Sequence, residues 1–267
     1  MIGASDWIAG RAIPPKTEGS HSGLVRLLGE QLGEKSPREF ESHTLRRVER
    51  SFERPRRSNL HQVSKMQSLP RVFLFDVGNV MIEADHAITY KILEDFGVHS
   101  SNAEQFYSNT EYLEFNRGNI SANDFYRILI EKYLKYSLTY EQVVWAHNQH
   151  IYAVSQDVEE ILQTLSRHRI SFTTDTNEWQ TERERELIDL RKYSDSIFRS
   201  HEIHMLKIDQ GLFPYLLKKL DAKAEEILFI DDSIEKVKIA ENYGLLTLLF
   251  KDAAQLSNSL KNLDIAK

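Results

Sequence analysis

The stretch Arg71-Val72-Phe73-Leu74-Phe75-Asp76-Val77-Gly78-Asn79-Val80 decides the fold. Residues 71–75 form a short run that is apolar from Val72 onward, without the alternation of a half-exposed strand. That texture belongs to a strand buried on both faces, as in a parallel sheet covered by helices. The run stops at a carboxylate. Ligands of open α/β sheets bind beyond the carboxyl ends of the strands, so Asp76 stands where a functional group is expected.

Outward from Asp76, residues 86–152 read as helices only. The expected segments are 86–96, 102–115, 121–136 and 139–151, parted by turn residues such as Gly97, Gly118 and Asn119, with Ser121 as N-cap of the third. The pattern then alternates. Helices are expected at 157–167, 181–190, 211–220 and 234–243, and strands at 170–174, 197–199, 227–230 and 245–250. Alternation predicts an α/β architecture, a parallel sheet with helices on both faces. The expected core is 70–85 with 153–267. Residues 86–152 form a small all-helical cap inserted after the first strand, seated over the strand ends.

Upstream the texture changes. Pro14, Pro15, Pro37, Pro55 and, at the junction, Pro70 are five of the six prolines, and six of the eleven glycines lie in 1–69. That region reads as a disordered extension, with Met66 just before the ordered pattern. It carries 12 Lys+Arg against 8 Asp+Glu, a charge of +4, so the remainder carries −6 − 4 = −10. An acidic body argues against nucleic acid as a partner. The absence of cysteine excludes disulfides, thiolate metal sites and a cysteine nucleophile. No apolar run approaches the ~20 residues of a membrane helix, and the first residues lack a secretory pattern. A cytoplasmic protein without membrane contact is expected, as a monomer or homodimer.

The polar residues that follow the other strands complete a pattern. Thr174 leads into Asp175, Thr176 and Asn177; Lys207 precedes a core helix; the strand at 227–230 runs into Asp231-Asp232. Carboxylates from different strands can hold a hard cation such as Mg²⁺, which prefers oxygen ligands. The cation lets a carboxylate approach phosphate, a carboxylate can attack phosphorus, and a lysine can neutralise charge in the transition state.

Taken in order, RVFLFDVGNVMIE, Thr174, Lys207 and ILFIDDSIEKVKIAENYG resemble the motifs of the haloacid-dehalogenase superfamily over roughly residues 70–250. The resemblance implies a Rossmann-like core and a Mg²⁺-dependent phosphatase. It implies Asp76 as nucleophile, Thr174 and Lys207 as catalytic groups on the phosphoryl moiety, and a metal held by Asp76, Gly78 (through its carbonyl), Asp231 and Asp232. Asn79, Asp175, Asn177 and the cap pair Arg117-Gly118 fall at substrate-binding positions. The cap and the DVGNV sequence are most similar to sugar-1-phosphate phosphatases and to the phosphatase domain of soluble epoxide hydrolases. A small phosphorylated metabolite is the implied substrate.

The chain departs from the family pattern in places. Gly78 stands where a second Asp commonly serves as general acid, although the sugar-1-phosphate group also has Gly there. Glu83, Asp85 or His147 are candidate replacements. Asp175 and Lys236 each stand where Asn is frequent, and Ile208 where Pro is usual. Two other readings stay open: a binding or regulatory module that has lost turnover, and a 2-haloacid dehalogenase, against which Asp231-Asp232 argues.

Overall fold

The computed structural model of the protein describes residues 69–263 and 265. The expected N-terminal extension, but for Leu69, lies outside the described residues. The chain runs through β1 (Val72–Phe75) and β2 (Ile82–Ala84) into helices α1 (His86–Asp95), α2 (Ser100–Ala103), α3 (Thr110–Asn116), α4 (Ala122–Ile128) and α5 (Tyr140–Asn148). It returns through β3 (Ile151–Val154). Then follow α6 (Gln156–Thr164), β4 (Arg169–Thr174), α7 (Glu178–Leu187), β5 (Ile197–Arg199), α8 (Ser200–Ile203), α9 (Leu212–Leu220), β6 (Ile227–Asp231), α10 (Ile234–Asn242), β7 (Leu246–Leu249) and α11 (Ala253–Asn262).

Five strands form a parallel sheet in the order β5-β4-β1-β6-β7. The side chains of β1 alternate between its two faces. Phe73 and Phe75 join Val158 and Leu162 of α6 and Leu256 and Leu260 of α11. Val72 and Leu74 join Leu212, Leu216 and Leu220 of α9 and Ala240 of α10. Both faces are therefore dry, which is why β1 is apolar throughout. Each such side chain, fully buried, contributes about 1.5–3 kcal/mol.

Register sets the site. Phe75 lies level with Phe172 of β4 and Ile230 of β6, so Asp76 and Asp231 leave the sheet side by side. β1 is flanked by strands reached in opposite directions, the arrangement that opens a crevice at the carboxyl ends.

The helical insert has its own aromatic core, with Phe106, Phe115, Phe125 and Leu129 buried. Trp179 of α7 belongs to that core, in contact with Phe115, Phe125 and Tyr140. Several local expectations are corrected. The helix expected over 102–115 is broken, because Asn109 caps α3 by accepting the Tyr112 N–H at 2.7 Å. The segment 121–136 starts with Ser121 as the expected N-cap. It passes into a π-helical turn, Leu129–Leu134, ended by Lys135 at φ 50°. Helix α7 begins at Glu178, three residues before the expected start, because Asn177 caps it. The strands β2 and β3, which pair antiparallel and carry the chain into and out of the cap, were not expected, nor was α11. Among the described residues no helix is long and apolar enough to cross a membrane.

Candidate active site

Asp76 directly follows β1 and is buried, with its N–H bonded to the Ile230 carbonyl at 2.8 Å. Two groups meet the same carboxylate oxygen: the Val77 N–H donates to Oδ1 at 2.6 Å, and the Lys207 ammonium forms an ion pair with it at 2.5 Å. The Lys207 ammonium also donates to Asp231 Oδ2 at 2.8 Å. Lys207 is wholly buried, and its charge survives there only because two carboxylates surround it. Asp231 is fixed in turn by the Ser233 N–H, 2.8 Å from its Oδ1, at the start of α10.

The electrostatics follow from burial and crowding. Burial first, and the Asp231 carboxylate next, push the Asp76 carboxyl up to about 7, while Lys207 and Lys236 pull it back. Burial works against the charge of Asp231 as well, but Lys207 and Lys236 outweigh it and hold Asp231 below the ordinary range. Burial opposes the charge of Lys207, and the Asp231 and Asp76 carboxylates more than offset it. The groups titrate as a set rather than singly.

Carboxylate oxygens of Asp76, Asp231 and Asp232 all lie within 4.8 Å of one another. Such a set of hard oxygen donors fits Mg²⁺. Gly78 has open space around its Cα: an added Cβ would meet nothing within 4 Å. Thr174, buried at the end of β4, stands on the neighbouring strand.

The remaining expected site residues also make contacts within the protein. Asn79 adopts a left-handed conformation (φ 53°), and its Oδ1 accepts the Ala84 N–H at 3.1 Å, which shapes the turn from β1 into β2. Asp175 accepts the Lys207 N–H at 2.9 Å and lies 3.4 Å from the Lys236 ammonium. Asn177 is fully buried. It caps α7 through Oδ1 and donates to Asn116 of the cap at 2.8 Å. Arg117, expected at a substrate-binding position, donates from its guanidinium to Asp209 and Glu114. Gly118 is a point of close packing, where an added Cβ would lie 2.3 Å from the His201 carbonyl oxygen. Of the candidate acids, Glu83 is exposed and Asp85 caps α1. His147 is wholly buried, and desolvation holds its imidazole well below its ordinary value, which disfavours the imidazolium form a general acid needs.

Two residues had no functional signal in the sequence. Asp209 pairs with Arg117 from 92 residues away. Lys236, known only as a departure, has its ammonium among the carboxylates of Asp175, Asp76, Asp231 and Asp232.

Comparison with known proteins agrees with this geometry. The family model for haloacid dehalogenase-like hydrolases matches residues 73–250. The bifunctional epoxide hydrolase 2 of Rattus norvegicus is 26% identical over 92 residues, 32% of this chain and 17% of that protein. A drimenol cyclase of Aspergillus calidoustus is 32% identical over 69 residues, 26% of this chain and 13% of that protein. The chain thus matches less than a fifth of the length of these curated relatives. Among solved structures, a HAD-family enzyme of Bacteroides thetaiotaomicron, in complex with magnesium and inorganic phosphate, is similar at TM-score 0.64. It is 20% identical over 70% of this chain and 98% of its own. A predicted HAD-like family hydrolase of Porphyromonas gingivalis is similar at TM-score 0.66, with 21% identity over 75% of this chain and 100% of its own. With its parallel sheet and the aspartates gathered at the strand ends, the chain belongs to the haloacid dehalogenase-like hydrolase family.

Proposed function

We propose that the protein is a Mg²⁺-dependent phosphatase of a small phosphorylated metabolite that works through a phospho-aspartate on Asp76. The observation that carries this reading is the setting of Asp76 at the end of β1. It lies 2.5 Å from the Lys207 ammonium, with Asp231 and Asp232 oxygens within 4.8 Å. A carboxylate meets a phosphate dianion only where positive charge offsets the repulsion. Asp76, Asp231 and Asp232, with the Gly78 carbonyl, would hold Mg²⁺, which when bound neutralises phosphoryl charge.

The chain's own groups divide the remaining work. The Val77 N–H donates to Oδ1 of Asp76 and the Lys207 ammonium lies against the same oxygen, so on this reading Oδ2 is the one that attacks phosphorus. The P–O bond to the leaving group breaks as the Asp76–phosphorus bond forms. Water then attacks the acyl phosphate, releases inorganic phosphate and restores Asp76. Lys207 supplies charge to the equatorial oxygens, and Thr174 a hydrogen bond. With Gly78 in place of an acid, leaving groups of lower pKa, such as an anomeric hydroxyl or the carboxylate of an acyl phosphate, are favoured. The magnesium and inorganic phosphate held by the Bacteroides thetaiotaomicron protein support this ligand class.

The full chain should be assayed for phosphate release with and without Mg²⁺, beside Asp76→Asn. The panel is p-nitrophenyl phosphate, sugar-1-phosphates, sugar-6-phosphates, nucleotides and acetyl phosphate. Mg²⁺-dependent release that disappears in Asp76→Asn supports the reading. Binding of Mg²⁺ and inorganic phosphate with no release from any ester would make the protein a non-catalytic module instead. Halide release from 2-haloacids would make it a dehalogenase.

A further inference from the structure

Asp175 ties together parts of the site that come from distant sequence. It follows β4. Its Oδ1 accepts the backbone N–H of Lys207 at 2.9 Å, and its Oδ2 lies 3.4 Å from the ammonium of Lys236, in the first turn of α10. Both side chains are largely shielded, 19% exposed for Asp175 and 25% for Lys236. Around the crevice stand four carboxylates, Asp76, Asp175, Asp231 and Asp232, and two ammonium groups, Lys207 and Lys236. Four negative charges against two positive leave the site at −2 before any ligand arrives.

An extra carboxylate beside a phosphate site opposes the binding of an anion. The partner explains why Asp175 is tolerated. An Asn at 175 could still accept the Lys207 N–H through its carbonyl, but its amide would then turn N–H donors toward the Lys236 ammonium. A Lys at 236 without Asp175 would lose the carboxylate 3.4 Å from its ammonium. Each residue suits the other, and neither suits the site alone.

We propose that Asp175 and Lys236 form a self-neutralising pair in which Lys236 is a positioning residue: it cancels the charge of Asp175, so that a phosphoryl group can lie beside Thr174 and Lys207. The pair can be replaced jointly but not singly. This inference rests on the phosphoryl-transfer reading of the site.

The test is a cycle of Lys236→Asn and Asp175→Asn/Lys236→Asn in the full chain. Affinity for inorganic phosphate in Mg²⁺ buffer is measured by titration calorimetry, and the thermal midpoint is read alongside. Lys236→Asn should weaken phosphate about tenfold, the scale of one unpaired charge at close range. It should also lower the midpoint. The double variant should recover phosphate affinity to within about threefold of the wild type and regain the lost midpoint. Recovery on removing a second charged group is a result that simple structural damage would not produce. Unchanged phosphate affinity in Lys236→Asn, or a double variant that binds no better than Lys236→Asn, overturns the proposal. If the wild type itself binds no inorganic phosphate, the phosphatase reading fails. The midpoints still decide the pairing, and a double variant no more stable than Lys236→Asn sinks it.

Discussion

Arg117 of the cap donates through Nε and Nη2 to the two carboxylate oxygens of Asp209 in the core, at 2.9 and 2.7 Å. Asp209 Oδ2 also accepts the Leu206 N–H at 2.8 Å, and the next residue is Lys207. The tether thus joins the cap to the loop that carries the buried lysine. The Arg117 backbone carbonyl adds a contact to His204 Nδ1 at 2.9 Å. Replacing Arg117 with Ala should cost about 1–2 kcal/mol in a urea melt, reduced from the full worth of a bidentate pair by partial exposure. Arg117→Lys should recover little, since an ammonium cannot match both oxygens. If Arg117→Ala melts like the wild type, the tether carries no weight.

Gly118 makes the adjoining contact by absence. It sits at φ +68°, and a Cβ there would lie 2.3 Å from the His201 carbonyl oxygen, a backbone atom that cannot swing aside. Gly118→Ala should destabilise by more than about 1 kcal/mol, from the left-handed backbone and the clash together. Increased proteolysis at the cap boundary would locate the damage; a stability equal to the wild type would show that α3 and α8 slide apart freely.

Much of this was legible in the sequence, and the reason is periodicity. A strand dry on both faces leaves an unbroken apolar run, so Val72–Phe75 and Ile227–Asp231 announced themselves, and with them Asp76 and Asp231. Pairings were not legible. Nothing near Arg117 points to Asp209, and Asp175 and Lys236 registered as separate oddities because only the fold brings the end of β4 to the start of α10. The strands β2 and β3 were missed for a physical reason too: three or four residues stabilised only by each other carry too little pattern. The capping contact of Asn177 was not legible, because a polar residue after a strand serves equally well as a site residue or as a helix cap.

Buried imidazoles give the fold a defined acid response. His147 and His150 are wholly or almost wholly buried, their rings 4.7 Å apart, with Tyr107 3.1 Å from His147 Nδ1. Burial, with the nearby His86 second, depresses His150 to about 3, and His147 also lies well below the ordinary value of 6.5. The unfolded chain therefore takes up these protons first. The stability tied to neutral rings is fully present above about pH 6.5 and is lost as pH falls toward the folded values. Urea melts between pH 7 and 4 should show a falling stability. His150→Asn, which can still hydrogen-bond to the His147 carbonyl, should flatten that slope by up to about 1.4 kcal/mol per pH unit. A slope unchanged in His150→Asn would mean that its ring is already protonated in the fold.

Gly78 offers a gain rather than a loss. Its φ is not left-handed and a Cβ would meet nothing within 4 Å, so neither backbone nor packing demands glycine there. A carboxyl side chain at this position would sit two residues beyond the proposed nucleophile. On the phosphatase reading it would supply the proton that a poor leaving group needs, an effect worth about 10²–10⁴-fold where acid catalysis is limiting. Gly78→Asp should therefore raise kcat for sugar-6-phosphates, with their alkoxide leaving groups. It should do little for acetyl phosphate, whose leaving group departs unaided. The added carboxylate also deepens the negative charge of the cluster, so any gain should come with weaker phosphate binding and a higher KM. Any fall in the thermal midpoint should come from this added charge and not from a clash, since the space is already open. Equal acceleration of both substrates would mean that the new group works through the metal or the charge balance rather than as an acid. A folded variant with no acceleration of sugar-6-phosphates would place the limiting step elsewhere than leaving-group protonation.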